Sequence, residues 1–306
     1  MKFSVIIPIY NAESTIKRCV NSFISQAYSD FEIILVNDGS SDSSEEIILS
    51  FKSDKIKYIK KENGGVSSAR NCGISVSTGD IICFADADDY VSTNYFQELH
   101  NAFRYYDCDA VFFGYNRIES TKTFSCLPHL IYDNYYQNLI SLTKSDTFGY
   151  PWVKAVKRNM IADIRFDESI SLYEDEIFSL NVFSNYCKII SISKPLYNYV
   201  INSDSLSFKV HQDYCSICDT VYKTWKSVLA GIPSTILEEK ANHFAMICQY
   251  YGIEKEIKVI PFYRQLFSCD FFHDSTSTLQ SKGILLAIIN AYWIRIKNKL
   301  KNIINR

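Results

Sequence analysis

Four β-rich apolar runs, separated by segments with helical spacing, dominate the first 85 residues and restrict the chain to a sheet covered by helices. Phe3–Ile9 is the first run. Behind it Ile16, Cys19, Val20, Phe23, Ile24 and Ala27 recur at i, i+3 and i+4, one face of a helix. Residues 31–36 form the second run and end at Asn37-Asp38-Gly39-Ser40, a string of turn formers. A helix over about 43–51 leads to a strand at 56–59. Gly64-Gly65 opens another helix through Ser77, Thr78-Gly79 closes it, and 80–84 is the fourth strand. Strands separated by helices make a parallel sheet with right-handed crossovers, and such sheets take ligands at the carboxyl ends of their strands. Tyr10, Asn11, Asp38 and Asp86 all fall at such ends. Beyond Ser92 the pattern predicts a helix to about Tyr106 and a strand over 110–115. Residues 116–200 hold short elements with few periodic stretches, and the chain reads as mainly helical from about Gln212.

Two phosphate signatures are missing. The first strand-to-helix turn, Pro8-Ile9-Tyr10-Asn11-Ala12-Glu13, contains no glycine, so the dinucleotide fingerprint is absent, and no Walker A string occurs. A nucleotide bound here needs another counter-charge. Asp86-Ala87-Asp88-Asp89 follows the fourth strand at once, and on extended backbone Asp86 and Asp88 project to one side. Converging carboxylates repel unless a cation neutralises them. Their hard oxygens suit Mg²⁺ or Mn²⁺, which share their coordination shell with substrate phosphates and water. A metal would thus turn an anionic turn into a diphosphate receptor. The competing reading is a solvated acidic turn, or the cap of the helix that follows Ser92.

The acidic turn does not stand alone. Taken with Phe3-Ser-Val-Ile-Ile-Pro8-Ile-Tyr10-Asn11, Val36-Asn-Asp38-Gly-Ser-Ser-Asp42 and Asn63-Gly-Gly-Val-Ser-Ser-Ala-Arg70-Asn71, the string Phe84-Ala-Asp86-Ala-Asp88-Asp89-Tyr90 resembles the family 2 glycosyltransferases of the GT-A fold. The likeness covers about residues 1–115. It implies an α/β fold, a Rossmann-like and mostly parallel sheet flanked by helices, here with a helical C-terminal extension. It also implies roles: Pro8, Tyr10 and Asp38 lining the base pocket, Arg70 near base and phosphates, Asp86 on ribose or metal, and Asp88 on the metal. Glu13 matches an acidic position beside the ribose, or it stabilises a helix start. Asp89 is expected on the acceptor side.

Tyr173-Glu174-Asp175-Glu176-Ile177-Phe178 resembles the family's Glu-Asp motif, which provides the general base in inverting members. Ser171-Leu172-Tyr173-Glu174 also reads as a capping box, with Glu174 reaching back to Ser171. On that reading Glu174 is structural and Asp175 is the base. Pro151-Trp152-Val153-Lys154 resembles a family segment usually written Trp-Asn-Lys. Trp152 then walls the acceptor site or packs in the core, and Val153 in place of asparagine removes a polar contact.

A net charge of −2 gives no sign of nucleic-acid binding. Ten cysteines are scattered, mostly inside apolar runs, and the N-terminus enters a strand pattern directly, which points to reduced buried thiols. Cys215-Ser-Ile-Cys218 is a lone pair without a second pair or a nearby histidine, and reads as two cysteines on one helix face rather than a zinc site. No acidic residue follows Asp274, while Lys282, Arg295, Lys297, Lys299, Lys301 and Arg306 are cationic and interleave with apolar residues. The pattern is that of an interfacial helix on anionic lipid, with a solvated helix as its rival.

The expected organisation is a nucleotide-sugar half over 1–115, an acceptor half over 116–210 and a helical region over 211–306. The expected activity is metal-dependent inverting transfer, in the cytoplasm at the inner face of a bacterial membrane, of glucose or galactose from a UDP-sugar. The acceptor implied by the resemblance is GlcNAc- or GalNAc-diphospho-undecaprenol, with a β1,3 linkage in O-antigen or capsule synthesis. A nucleotidyltransferase shares sheet and metal chemistry but usually carries a glycine-rich basic loop after the first strand, which this chain lacks. A non-catalytic sugar-binding scaffold is the remaining rival.

Overall fold

The computed structural model describes residues 1–120, 122–128, 148–170, 172–185, 187–201 and 214–228, with scattered residues from 234 to 274. The chain forms two units, Met1–Ser205 and Leu206–Arg306. The first holds one mixed sheet. Its strands are β1 (Phe3–Ile9), β2 (Phe31–Asp38), β3 (Ile56–Lys61), β4 (Ile81–Phe84), β5 (Tyr90–Val91), β6 (Ala110–Ile118), β7 (Thr123–Cys126), β8 (Lys154–Lys157) and β9 (Ile189–Val200), in the order β3-β2-β1-β4-β8-β6-β9-β5, with β7 beside β6.

The first four strands are parallel, as the alternation predicts. β1 and β4 are buried almost throughout, which explains their continuous apolar sequences. Helices α1 (Ile16–Ile24), α2 (Ser44–Ser50) and α3 (Gly65–Val76) connect them. The predicted stripe of α1 is its inner face, with Ile16, Cys19, Val20 and Phe23 buried. Gly65 sits at φ 87°, a left-handed conformation that lets the chain turn abruptly into α3. Helix α4 (Tyr95–Tyr106) packs Tyr95, Phe96, Leu99 and Phe103 inward and precedes β6.

The sheet departs from a parallel pattern beyond β4. Strand β8 pairs antiparallel with β4 on one side and with β6 on the other. It follows a single 3₁₀ turn, Pro151–Val153, and runs into the short helix α5 (Arg158–Ile161). Strand β9 pairs parallel with β6 and antiparallel with β5. Residues 1–115 and the described part of 116–205 therefore share one sheet. Between them, helix α6 (Glu174–Val182) turns its Ile177, Phe178, Leu180 and Val182 inward.

In the second unit, α7 (Tyr214–Val228) buries Cys215, Cys218, Val221, Tyr222 and Trp225 along one stripe. Cys215 and Cys218 are free thiols on that one face. Among the described residues no helix is long and apolar enough to cross a membrane. The cationic segment predicted as an interfacial helix lies outside the described residues.

Candidate active site

Three parallel strands end side by side, with β1 between β2 and β4, and the loops leaving them form the site. The loops after β1 and β2 are stitched together. Asn11 Oδ1 accepts from Ser41 N (2.9 Å), Ser44 Oγ from Ala12 N (2.8 Å), Asp42 from Glu13 N (2.9 Å), and Glu13 in turn from Ser43 N (2.9 Å). Glu13 thus stabilises the start of α2 rather than of its own helix. Asn11 has φ 49°, the left-handed region that asparagine tolerates. Tyr10, 57% exposed, stands at the open edge, and Pro8 lies beside Val36 of β2.

Asp38 is buried at the end of β2. Its carboxylate accepts from the backbone N–H groups of Gly64 (3.0 Å) and Gly65 (2.8 Å) and from Lys61 Nζ (2.5 Å). It therefore seats the start of α3.

The acidic turn is braced from beneath. Tyr197 Oη, on β9, accepts from Asp86 N (3.0 Å) and donates to Asp89 Oδ2 (2.8 Å), while Val200 N donates to Asp89 Oδ1 (2.8 Å). Asp89 is 1% exposed, so it anchors β9 instead of facing an acceptor as expected. Burial first, then the charges of Asp86 and Asp88, push its carboxyl up to about 8. Burial followed by the charges of Asp89, Asp86 and Asp88 likewise pushes the Cys19 thiol far up. Both shifts arise first from burial, with the neighbouring aspartates adding to it.

Arg70, 6% exposed on α3, draws the two halves together. Its guanidinium donates to Asp86 Oδ1 and Glu174 Oε1, each at 3.2 Å, and lies 5.2 Å from the Phe166 ring centre. Its Nε is buried without a protein partner among the described residues. Phe166 stacks on Phe178 at 3.9 Å, and both meet Phe84 edge-on. Asn71 holds this platform: its Nδ2 donates to Phe166 O (2.9 Å) and Glu168 (2.9 Å), and its Oδ1 accepts from Phe166 N (2.8 Å).

Glu174 corrects the capping-box reading. The first residue of α6 is Glu174 itself, with Tyr173 (φ 62°) before it, so Glu174 is not three residues into the helix and its carboxylate goes to Arg70. Ser171 lies outside the described residues. Asp175 keeps part of its surface open, yet protein surrounds its carboxyl. Burial, then the charges of Glu174 and Glu176, push it up to about 6 against the opposing charges of Arg70 and Lys154. A carboxylate so tuned is mostly ionised at neutral pH and more basic than a free one, as a general base requires.

Trp152 is 5% exposed and lies inside an aromatic stack, 4.9 Å from Tyr150, 4.6 Å from Tyr197 and 5.4 Å from Tyr199. The partly exposed members are Tyr150 and Tyr199. Trp152 thus backs this wall from the core.

Sequence reasoning missed Tyr197, Asn71 and Lys154. Tyr197 and Asn71 act through partners about a hundred residues away, which no local pattern reveals. Lys154 carried a signal: it is the only charged residue in the otherwise apolar run Pro151–Val156.

As to a metal, among the described residues no three His, Cys, Asp or Glu side chains assemble a protein cage. Asp86 and Asp88 are partly exposed oxygen donors on the same turn. Mg²⁺-type sites are commonly built from one or two carboxylates, completed by substrate phosphate and water, and this donor set fits that chemistry.

The sequence profile described as "Glycosyl transferase family 2" matches residues 4–165. The chain belongs to that family. Its sheet agrees with S. aureus TarS (residues 1–349, in complex with UDP-GlcNAc), with a TM-score of 0.74 at 20% identity over 97% of this chain and 88% of that one. It is 33% identical over 219 residues to glycosyltransferase GlyA of Streptococcus pneumoniae, covering 67% of this chain and 31% of GlyA. It is 32% identical over 219 residues to the minor teichoic acid biosynthesis protein GgaB of Bacillus subtilis, covering 67% of this chain and 23% of GgaB. The chain thus spans less than a third of the length of either relative. The GT-A fold stands with this family membership, which the nucleotidyltransferase alternative does not share.

Proposed function

We propose that the protein transfers a hexose from a UDP-sugar, with inversion, to a hydroxyl of a lipid-diphosphate-linked saccharide during synthesis of a cell-surface polysaccharide such as O-antigen or capsule. One observation carries this reading: Arg70 links Asp86 at the donor strand ends to Glu174, so that Asp175, its carboxyl pushed up to about 6, belongs to the same site. The UDP-GlcNAc complex of TarS and the surface-polymer name of GgaB support the choice of donor and product class.

In the proposed reaction Asp175 accepts the proton of the acceptor hydroxyl. The oxygen attacks the anomeric carbon opposite the diphosphate, the bond to the diphosphate breaks, and the configuration inverts. Arg70 offers positive charge to the leaving diphosphate. Asp88, with Asp86, would hold Mn²⁺ or Mg²⁺, which when bound neutralises phosphate charge. Tyr10, Pro8 and Asp38 border the nucleotide base, and the Tyr150–Trp152–Tyr199 wall borders the acceptor. The cationic, apolar pattern of residues 277–306 supports attachment to the inner membrane surface, where a lipid-linked acceptor resides.

The test is incubation with Mn²⁺ or Mg²⁺, a panel of UDP-sugars and a synthetic GlcNAc-diphospho-lipid, with product mass and linkage read out. A β-linked product formed by the wild-type protein, and absent in Asp88→Ala and Asp175→Asn, is the expected result. Retention of anomeric configuration, or no binding of any nucleotide sugar, overturns the proposal.

A further inference from the structure

Lys154 is a buried cation that the mechanism above does not use. It opens β8 opposite Phe112 of β6 and is 3% exposed. Its Nζ donates to Phe148 O (2.6 Å) and Gly149 O (3.2 Å), and it lies 5.3 Å from the ring centre of Phe112 and 5.7 Å from that of Phe148. Burial of an ammonium is costly, so such a group persists where its partners hold it.

Those partners form the seat of α6. Gly149 O also accepts from Ser179 Oγ of α6 (3.2 Å). A Cβ on Gly149 would lie 3.3 Å from Glu176 Cβ and 3.6 Å from Asp175 Oδ1, so the turn presses directly on the first turn of that helix. Helix α6 enters through Tyr173 in the left-handed region, a strained conformation for a non-glycine residue, so its start must be held by surrounding contacts. The charges facing Asp175 are Glu174 and Glu176 on α6, Arg70 on α3 and Lys154 on β8. Those facing Lys154 are Asp175 and Glu176. Lys154 is therefore the second cation, beside Arg70, set against three adjacent carboxylates.

We propose that Lys154 is a positioning residue for Asp175: it fixes the Phe148–Gly149 turn on which the first turn of α6 rests and keeps a positive charge behind the carboxylate. The inference depends on Asp175 being the base. Burial lowers the Lys154 ammonium to about 7 against the opposing charges of Asp175 and Glu176, so its positive charge is present over the acidic range in which Asp175 titrates.

The test is the pH dependence of kcat in Lys154→Met and Lys154→Arg, with Asp175→Asn run alongside. Loss of the cation should move the acidic limb to higher pH by about one unit and lower kcat with little change in donor KM. Lys154→Arg should keep the limb near its native position. A folded Lys154→Met with native kcat and acidic limb overturns the inference. Should Lys154→Met fail to fold, Ser179→Ala decides: a severalfold fall in kcat at constant KM supports the seat, and an unchanged kcat overturns it. Full activity in Asp175→Asn refutes the base assignment instead, so the two failures are told apart.

Discussion

Replacing Arg70 by methionine keeps an unbranched stem of similar length and removes the guanidinium on which Asp86 and Glu174 converge. The Arg70 side chain is 7% exposed, that of Glu174 12% and that of Asp86 31%, with both ion pairs at 3.2 Å. Glu174 would lose its compensation almost entirely, while Asp86 would recover part of it from water. Stranding one partner of a buried pair costs about 3–5 kcal/mol, and the exposure of Asp86 favours the low end, about 3 kcal/mol. In a unit of this size each kcal/mol shifts Tm by about 2–4 °C. Calorimetry should therefore place R70M about 6–12 °C below the wild type. The double variant R70M/E174Q also removes the stranded charge, and should be less destabilised than the sum of the single variants by about 1 kcal/mol or more. Unfolding of R70M within about 2 °C of wild type, or strict additivity in the double variant, would refute the neutralising role.

Asp175→Asn should lower kcat by about 10²–10⁴-fold while calorimetric affinity for the donor is kept. In the wild type the base must be unprotonated, so kcat should fall as pH drops through about 6, and a flat profile from pH 5 to 8 contradicts this. Glu13→Ala removes the acceptor for Ser43 N and should cost about 0.5–1 kcal/mol in urea unfolding with donor KM unchanged. A raised KM at native stability would favour the ribose-side role instead. Asn71→Ala breaks the clamp on Phe166 and should cost about 1–3 kcal/mol, with faster proteolysis in residues 163–170 as the local sign.

Strands β1, β2 and β4 were legible because burial makes each a continuous apolar run, and parallel pairing follows from the helices between them. The second half was opaque for physical reasons. Strand β8 is four residues long, and β9 reads Ile-Ile-Ser-Ile-Ser-Lys-Pro-Leu-Tyr-Asn-Tyr-Val, where Ser193, Lys194 and Pro195 interrupt the apolar pattern. Its register against β6 shifts around Gly114, opposite Pro195, so no single period runs its length. At the site, strand ends placed Asp38 and Asp86, whereas Asp88 lies in a turn closed by Asp89 N donating to Asp86 O (3.2 Å) and not on the extended backbone the sequence suggested. The Arg70–Glu174 pair spans 104 residues, and a pairing that distant has no local signature. For Glu174 the sequence offered a local partner, Ser171, which lies outside the described residues, while its Oε1 accepts from Arg70 on α3.

The insertion of β8 between β4 and β6 bears on how such an enzyme can change its specificity. Backbone hydrogen bonds run unbroken from the strands that end at the donor loops, through β8, to the strands carrying Tyr115, Tyr197 and Tyr199. Under the proposed function, the acceptor side is thus not a module that recombination can exchange at a linker, because β8 and β9 are interior members of the sheet that β1–β4 begin. A graft of residues 116–200 from a relative would have to match β4 with its new β8 residue for residue. Drift of side chains on the open wall, with the strands left in place, is the route to new acceptors that this architecture leaves open.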